Sequence, residues 1–356
     1  MNPGQKVLER LYTRDLQCDP EWSLRSEKAF TWWPAQHAQT IQIEKEVSGP
    51  DGAKGYVVTI ETDFLKEVKN RNPETELLVK TMMNFCTMAS PLWIPEKGEI
   101  RLASQMLVNE STWEWGSSLL SQAALLQIFE AKTLANQSAE AIGAKNWISG
   151  PELGRIRENY DEMASLVETL FLPLGKTAGV WKEEEFSETV EKYMNKPPCI
   201  LGTGGGSGLT GEFVFGEQTS LLRMHGDQKH PRMGNGLLIT QTFPVAPMSE
   251  TELFAHAVHL NLLEMAEGPW GYGFGSYRPK NNFLVHSAFF PNSSYQRGLI
   301  RNFYFGAAWR AREISKHFTN TDWTEETISR VQKKKAQALD VALEKIQQKD
   351  RFRFRP

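Results

Sequence analysis

The feature that most constrains this chain is a pattern that occurs twice. A helical stretch, antiparallel strands, a middle helix, two short strands around a turn and a long closing helix follow in order, then recur at a period of roughly 170 to 180 residues. The likeness lies in the order of elements and in local pattern rather than in identity. Such a chain is expected to fold as two tandem copies of one unit.

The first copy opens with QKVLERLYTRD, in which Val7, Leu8 and Leu11 share one helical face. The alternation through Ile41, Ile43 and Val47 predicts a strand. The cluster SGPDGAKG predicts a turn, and YVVTIETDFL a second strand rich in β-branched residues. After Asn72-Pro73, Leu77, Leu78, Met82, Phe85 and Met88 recur at helical spacing. Two strands around Glu96 to Gly98 then lead into the closing helix from Trp113.

The second copy repeats this order. GRIRENYDEMASLVETLFLPL and EEEFSETVEKYM read as helices. GEFVFGEQTSLLRMHG and NGLLITQTFPV read as strands around the turn GDQKHPRMGNG. The middle helix starts at Ser249, with Glu252 three positions on in capping-box spacing. WGYGFGSYRPKNNFLVHSAFFPN predicts two strands, and RGLIRNFYFGAAWRAREISKHF the closing helix. Ile100, Leu102, Ser104 and Asn109 correspond to Phe283, Val285, Ser287 and Asn292.

The expected architecture is therefore α+β: two helix–antiparallel sheet–helix units over 1–142 and 151–318, with a linker at 143–150. Residues 319–356 add a C-terminal amphipathic helix and a basic tail. There Asp322 and Glu325 have capping-box spacing, and Ile328, Val331, Leu339, Leu343 and Ile346 form one apolar stripe. A length of 356 residues suits two cores better than one.

This order of elements resembles the fold of type III secretion chaperones and of the related YbjN-like proteins, over roughly 5 to 140 and 151 to 318. The resemblance rests on shape and carries over no individual residue. It implies a chaperone-like, protein-binding role in the bacterial cytoplasm. A tandem of two such units would mimic the dimer of the single-domain chaperones, so a monomer is expected.

The totals fit a soluble globular chain, though one nearer neutral than the typically small, acidic secretion chaperones. A formal net charge of −3 gives no general attraction to nucleic acid or anionic membrane. No run approaches the roughly 18 apolar residues of a membrane span. The opening MNPGQKVLERLYTRD lacks the apolar core of a secretory signal. Cys18, Cys86 and Cys199 are far apart, which fits a reducing compartment.

Several motifs invite a catalytic reading. Gly206, Gly208 and Gly211 match G-x-G-x-x-G, but the residues that follow, EFVFGEQTSLL, read as strand. A phosphate loop needs a helix there, whose N–H groups face the anion. Gly175-Lys176-Thr177 lacks the earlier glycine of a phosphate-binding loop, because Leu170 stands in its place. Neither a nucleophile elbow nor HExxH occurs. No cofactor is expected, no catalytic residue is assigned, and the balance leans away from an enzyme.

Two groups remain. His225, Asp227 and His230 near a turn, with His256 and His259 on the middle helix, would suit a metal if the turn folded over the helix. That is the alternative, a metal-binding protein or metal-dependent enzyme. The leading expectation rests on aromatics: Trp32, Trp33, Trp270, Tyr272 and Phe274. Read as strand residues, Tyr272 and Phe274 share one sheet face, and Trp270 joins them if the strand is continuous. Such a face packs in the core or receives a partner segment or the other copy. Gly271, Gly273 and Gly275 leave the opposite face bare enough for close approach.

Overall fold

The computed structural model describes residues 1–49, 52–70, 72–85, 87–165, 180–193 and 207–319. The first unit contains α1 (Pro3–Arg10), β1 (Ser23–Arg25), β2 (Ala29–Trp32), β3 (Gln39–Ser48), β4 (Lys54–Lys66) and α2 (Pro73–Phe85). It continues with β5 (Ser90–Ile94), β6 (Glu99–Val108), α3 (Trp113–Ile142) and β7 (Lys145–Asn146). The second contains α4 (Glu183–Tyr193), β8 (Gly208–Phe215), β9 (Gln218–His230), β10 (Gly234–Phe243) and α5 (Glu250–Glu267). β11 (Ser276–Lys280), β12 (Phe283–Pro291) and α6 (Leu299–Thr319) complete it.

The molecule is α+β, with one antiparallel sheet per unit. The first runs β1-β2-β3-β4-β6-β5, with β7 beside β4, and the second runs β11-β12-β10-β9-β8. Taken from the same end, β2-β3-β4-β6-β5 and β8-β9-β10-β12-β11 have one strand order. Local chemistry explains the elements. On β3, Gln39, Ile41 and Ile43 point inward, while Thr40 and Gln42 lie half-exposed. The capping box at α5 is formed: the Ser249 hydroxyl accepts from Glu252 N, and Glu252 accepts from Ser249 N.

Both sheets contribute to one interior. A single apolar cluster joins Ile41, Ile60, Leu120 and Phe129 of the first unit to Leu222, Phe289, Phe303 and Ala307 of the second. Main-chain bonds stitch the seam: Gln105 N donates to Gly273 O at 3.1 Å and Gly275 N to Met88 O at 3.1 Å. The closing helices are used alike. Ala124 O accepts from Gln39 Nε2 and Ala307 O from Gln241 Nε2, both at 2.9 Å.

Four expectations need correction. The turn expected over GDQKHPRMGNG is mostly strand, because β9 runs to His230 and pairs through Gln228↔Gly236 and His230↔Gly234. Only residues 231–233 turn. Residues 270–275 are not strand. Gly271, Gly273 and Gly275 all have positive φ (+99°, +56° and +89°), which breaks the extended alternation until Ser276. The segment expected as a linker joins the first sheet through β7. Beyond it, Arg157 Nη1 donates to Trp33 O at 2.9 Å and Asp161 N to Pro34 O at 2.8 Å, so this stretch is held by the first unit. The C-terminal helix expected beyond 319, the Gly175-Lys176-Thr177 stretch and Gly206 lie outside the described residues. Gly208 and Gly211 fall inside β8, and a strand follows the glycines where a phosphate site needs a helix.

Candidate functional site

The aromatics expected on an open sheet face lie elsewhere. Trp32, Trp33, Trp270 and Phe274 are buried, each at most 6% exposed. Trp32 Nε1 donates to Gln39 Oε1 and Trp33 Nε1 to Ser149 Oγ. The Phe274 ring meets Phe290 edge-on. These four are core, which corrects the expectation of an accessible face. The glycines explain why: their positive φ removes the extended strand, and Tyr272 and Phe274 turn onto Phe303 and Phe290 of the interior while Trp270 joins a separate cluster with Tyr277. The close approach expected at the glycines is made by the chain itself. A Cβ on Gly273 would stand 2.5 Å from Gln105 O, and one on Gly275 2.2 Å from Ser287 O.

The five residues weighed as a metal group do not assemble. His256 and His259 stand on the exposed side of α5, whereas His225, Asp227 and His230 belong to β9. His230 turns into the seam, with Nε2 2.7 Å from Phe85 O and Nδ1 accepting from Arg232 N and Met233 N. Burial pulls its pKa down, and the nearby Arg232 charge adds to this against the Phe85 contact. Among the described residues, no three His, Cys, Asp or Glu side chains come together as metal ligands.

A buried polar cluster escaped the sequence reading. Arg310 of α6 donates from Nε to Tyr277 Oη at 3.1 Å and from Nη2 to Glu264 Oε1 at 3.2 Å. Tyr277 Oη donates to Glu264 Oε2 at 2.5 Å, and Trp270 N donates to Glu264 Oε1. Burial and the Glu264 charge raise the Tyr277 pKa well above its usual value. Three elements are tied together by groups that satisfy one another. All three side chains are enclosed, so this is a brace rather than a reactive centre. At the matching place in the first unit, three residues past Ala124, stands Gln127, within 2.9 Å of the Thr62 and Ser104 hydroxyls.

The accessible feature is a groove on the seam. A cavity of about 590 Å³ lies between Leu107, Asn109 and Thr112 of the first unit and Tyr272, Phe305, Trp309 and Arg312 of the second. Phe305 is 47% exposed, and Tyr272 and Trp309 are half-buried. The wall is tight where glycines meet: a Cβ on Gly271 would stand 2.8 Å from Gly306 O, and one on Gly306 2.9 Å from the Tyr272 ring. A second cavity of about 420 Å³ shares Gly49, Trp309 and Arg312 and continues the groove past Ser48, Glu267 and Pro269.

The repeat places the groove beside a hairpin turn. In both sheets the second and third strands form a hairpin that reaches across the seam. The β9–β10 turn fills its seat. Arg232 lies over the rings of Phe85 and Phe129 and donates to Thr133 Oγ1 at 2.7 Å, and Met233 is buried. The β3–β4 turn sits at the same topological place beside α6. Its described tip residues, Ser48, Gly49, Gly52 and Ala53, carry small side chains, and Ser48 and Gly49 border the second cavity. In the helix facing it, Trp309 and Arg312 border the same cavity.

No helix among the described residues is long and apolar enough to cross a membrane. The chain matches no family model, and neither a curated protein nor a solved structure aligns with it.

Proposed function

We propose that this is a non-enzymatic, chaperone-like protein of the bacterial cytoplasm that binds an apolar segment of a partner protein in the seam groove. The observation that carries the reading is the exposed Phe305, which with Trp309 and Tyr272 lines a cavity of about 590 Å³ at the rim of Arg312. Aromatic and arginine side chains at the edge of a concavity are the composition of interface hot spots. The groove replaces the sheet face as the binding surface, because the sheet aromatics are used in the core. The two-fold repeat of strand order supports the resemblance to secretion chaperones, with the seam doing in one chain what a dimer interface does in two.

Affinity capture from the native host tests this, run in parallel with wild type and a Phe305→Asp/Trp309→Asp variant of unchanged melting behaviour. One or two stoichiometric proteins are expected with wild type and not with the variant. Purified partner should then bind wild type at least about tenfold more tightly than the variant, a difference of about 1.4 kcal/mol. Equal capture by both proteins, or no partner with either, would overturn the reading.

A further inference from the structure

The outer face of α6 carries charge and aromatic side chains in a fixed order. Arg301, Phe305, Trp309 and Arg312 stand at i, i+4, i+8 and i+11, so all four fall within one stripe of the helix. An arginine frames the two rings on each side. Phe305 is not bare: the Tyr193 ring at the end of α4 meets it edge-on, with centroids 4.9 Å apart. Phe305 nonetheless stays 47% exposed, and with Trp309 it lines the seam cavity of about 590 Å³.

The charge along this stripe is unbalanced. Among the described residues neither Arg301 nor Arg312 forms an ion pair, whereas Arg310 on the buried side is paired with Glu264 at 3.2 Å. Arg312 borders the seam cavity with no acidic side chain beside it there, among the described residues. Glu267 and Glu313 border the neighbouring cavity of about 420 Å³, but Glu313 is taken by Lys316 and Glu267 faces His317 at 3.9 Å. At the other end, a third cavity of about 300 Å³ between α4 and the start of α6 is lined by Lys192, Arg297 and Arg301. Lys192 and Arg301 both approach the Tyr193 hydroxyl. Of the acids there, Glu185 already accepts from Tyr295 Oη and, at 3.1 Å, from Gly298 N, which leaves Glu188 against three cations. The whole chain carries a formal −3, so this excess of positive charge is local. Cations at both ends of an aromatic wall favour a carboxylate at each.

Resting on the groove reading, we propose that the segment taken up by the seam groove is acidic at both ends: apolar side chains lie on Phe305 and Trp309, one flanking carboxylate pairs with Arg312, and the other pairs with Arg301. Guanidinium groups suit this task, because each offers a carboxylate two parallel hydrogen bonds. The two arginines are eleven residues apart, about 16 Å along the helix axis. An extended segment crosses that distance in about five residues. The aromatic wall supplies the contact area, and the charges at its ends fix the register and reject basic segments. The stripe borders concavities on both sides of Phe305, which suits a segment better than a lipid surface.

Selection from a library of random peptides on the full chain tests it, run in parallel on wild type, Arg312→Glu and Arg301→Glu. Wild type should enrich Asp and Glu on both sides of an apolar pair, about five positions apart. Arg312→Glu should exchange the acid at one end for Lys or Arg and keep the other, and Arg301→Glu should do the reverse. The best wild-type peptide should bind each variant at least about tenfold more weakly, and recover when the matching acid is replaced by lysine. That recovery is a gain of binding, which an unfolded variant does not give. Where a reversal unfolds the chain, Arg312→Gln and Arg301→Gln take its place, each with the same loss of at least about tenfold. Apolar peptides with no charge preference would overturn the inference and leave the groove reading standing. So would acidic peptides that bind both arginine variants unchanged, or a preference for vesicles of anionic phospholipid over every selected peptide. No enriched peptide, or peptides held equally by Phe305→Asp/Trp309→Asp, would overturn the groove reading and this inference with it.

Discussion

Glu130 lies on α3 inside the seam, wholly buried, with Oε1 lacking a hydrogen-bond partner among the described residues. Burial raises its pKa from 4.5 to about 7, against the opposing pull of the Arg232 charge and the Thr87 hydroxyl. The sign of the consequence is fixed. Below about pH 4.5 the group is neutral folded and unfolded alike. Above that, the unfolded chain ionises first, so stability falls as pH rises toward about 7 and then levels. The full effect is about 3 kcal/mol. His286, held well below the ordinary imidazole value by burial and then by the Arg310 charge, acts in the opposite sense, and its contribution is lost as pH falls below about 6.5. The two overlap in wild type, so the difference between proteins is the clean readout. Denaturation of wild type and Glu130→Gln at intervals from pH 5 to 8 should show the variant gaining relative stability as pH rises. A difference that stays flat with pH would show Glu130 ionising normally. Nothing in the sequence marks Glu130, because a charge on a long helix reads as a solvated face until the second unit is laid against it.

The 270–275 segment shows where element-scale reading stopped. Its aromatic and glycine alternation looks like strand, yet the glycines adopt positive φ and pass their backbone against Gln105 and Ser287. Alternation in sequence reports a strand only when every residue can be extended, and glycine removes that condition. Gly273→Ala tests this: the left-handed backbone and the contact with Gln105 O should together destabilise by about 2 to 4 kcal/mol in chemical denaturation. A loss of a few tenths would mean that the segment relaxes freely. The start of α5 was readable for the contrasting reason that its chemistry is local. Ser249 and Glu252 satisfy each other within four residues, and Ser249→Ala should lose about 1 kcal/mol. The order of elements along each unit followed from repeated local patterns of this kind, whereas the strand order of each sheet did not. The Glu264–Tyr277–Arg310 brace did not, since its members come from three elements and meet only in the folded chain. The groove is a property of two units together, so of its wall only Tyr272 stood out in the sequence as a binding residue, and Phe305, Trp309 and Arg312 did not.

At the scale of the whole molecule, one apolar cluster runs through both sheets, and the seam carries main-chain bonds as well as side chains. Neither unit closes its interior alone: Phe289 and Met233 of the second lie in the same cluster as Phe129 and Ile41 of the first. A shared core makes the units cooperative, unlike domains joined by a linker, which unfold separately. We therefore expect a single-chain mass by light scattering and one denaturation transition that coincides by far-ultraviolet and near-ultraviolet dichroism. Met233→Ala is the sharper probe, because this side chain sits at the centre of the filled hairpin seat and is 3% exposed. Removing it leaves a cavity at the seam and should lower the midpoint of the one transition by an amount equivalent to about 2 to 4 kcal/mol. If the transition instead splits, with the first sheet keeping its original midpoint, the units are independent and the shared cluster is only a contact surface. A single shifted midpoint means that the second copy completes the core of the first.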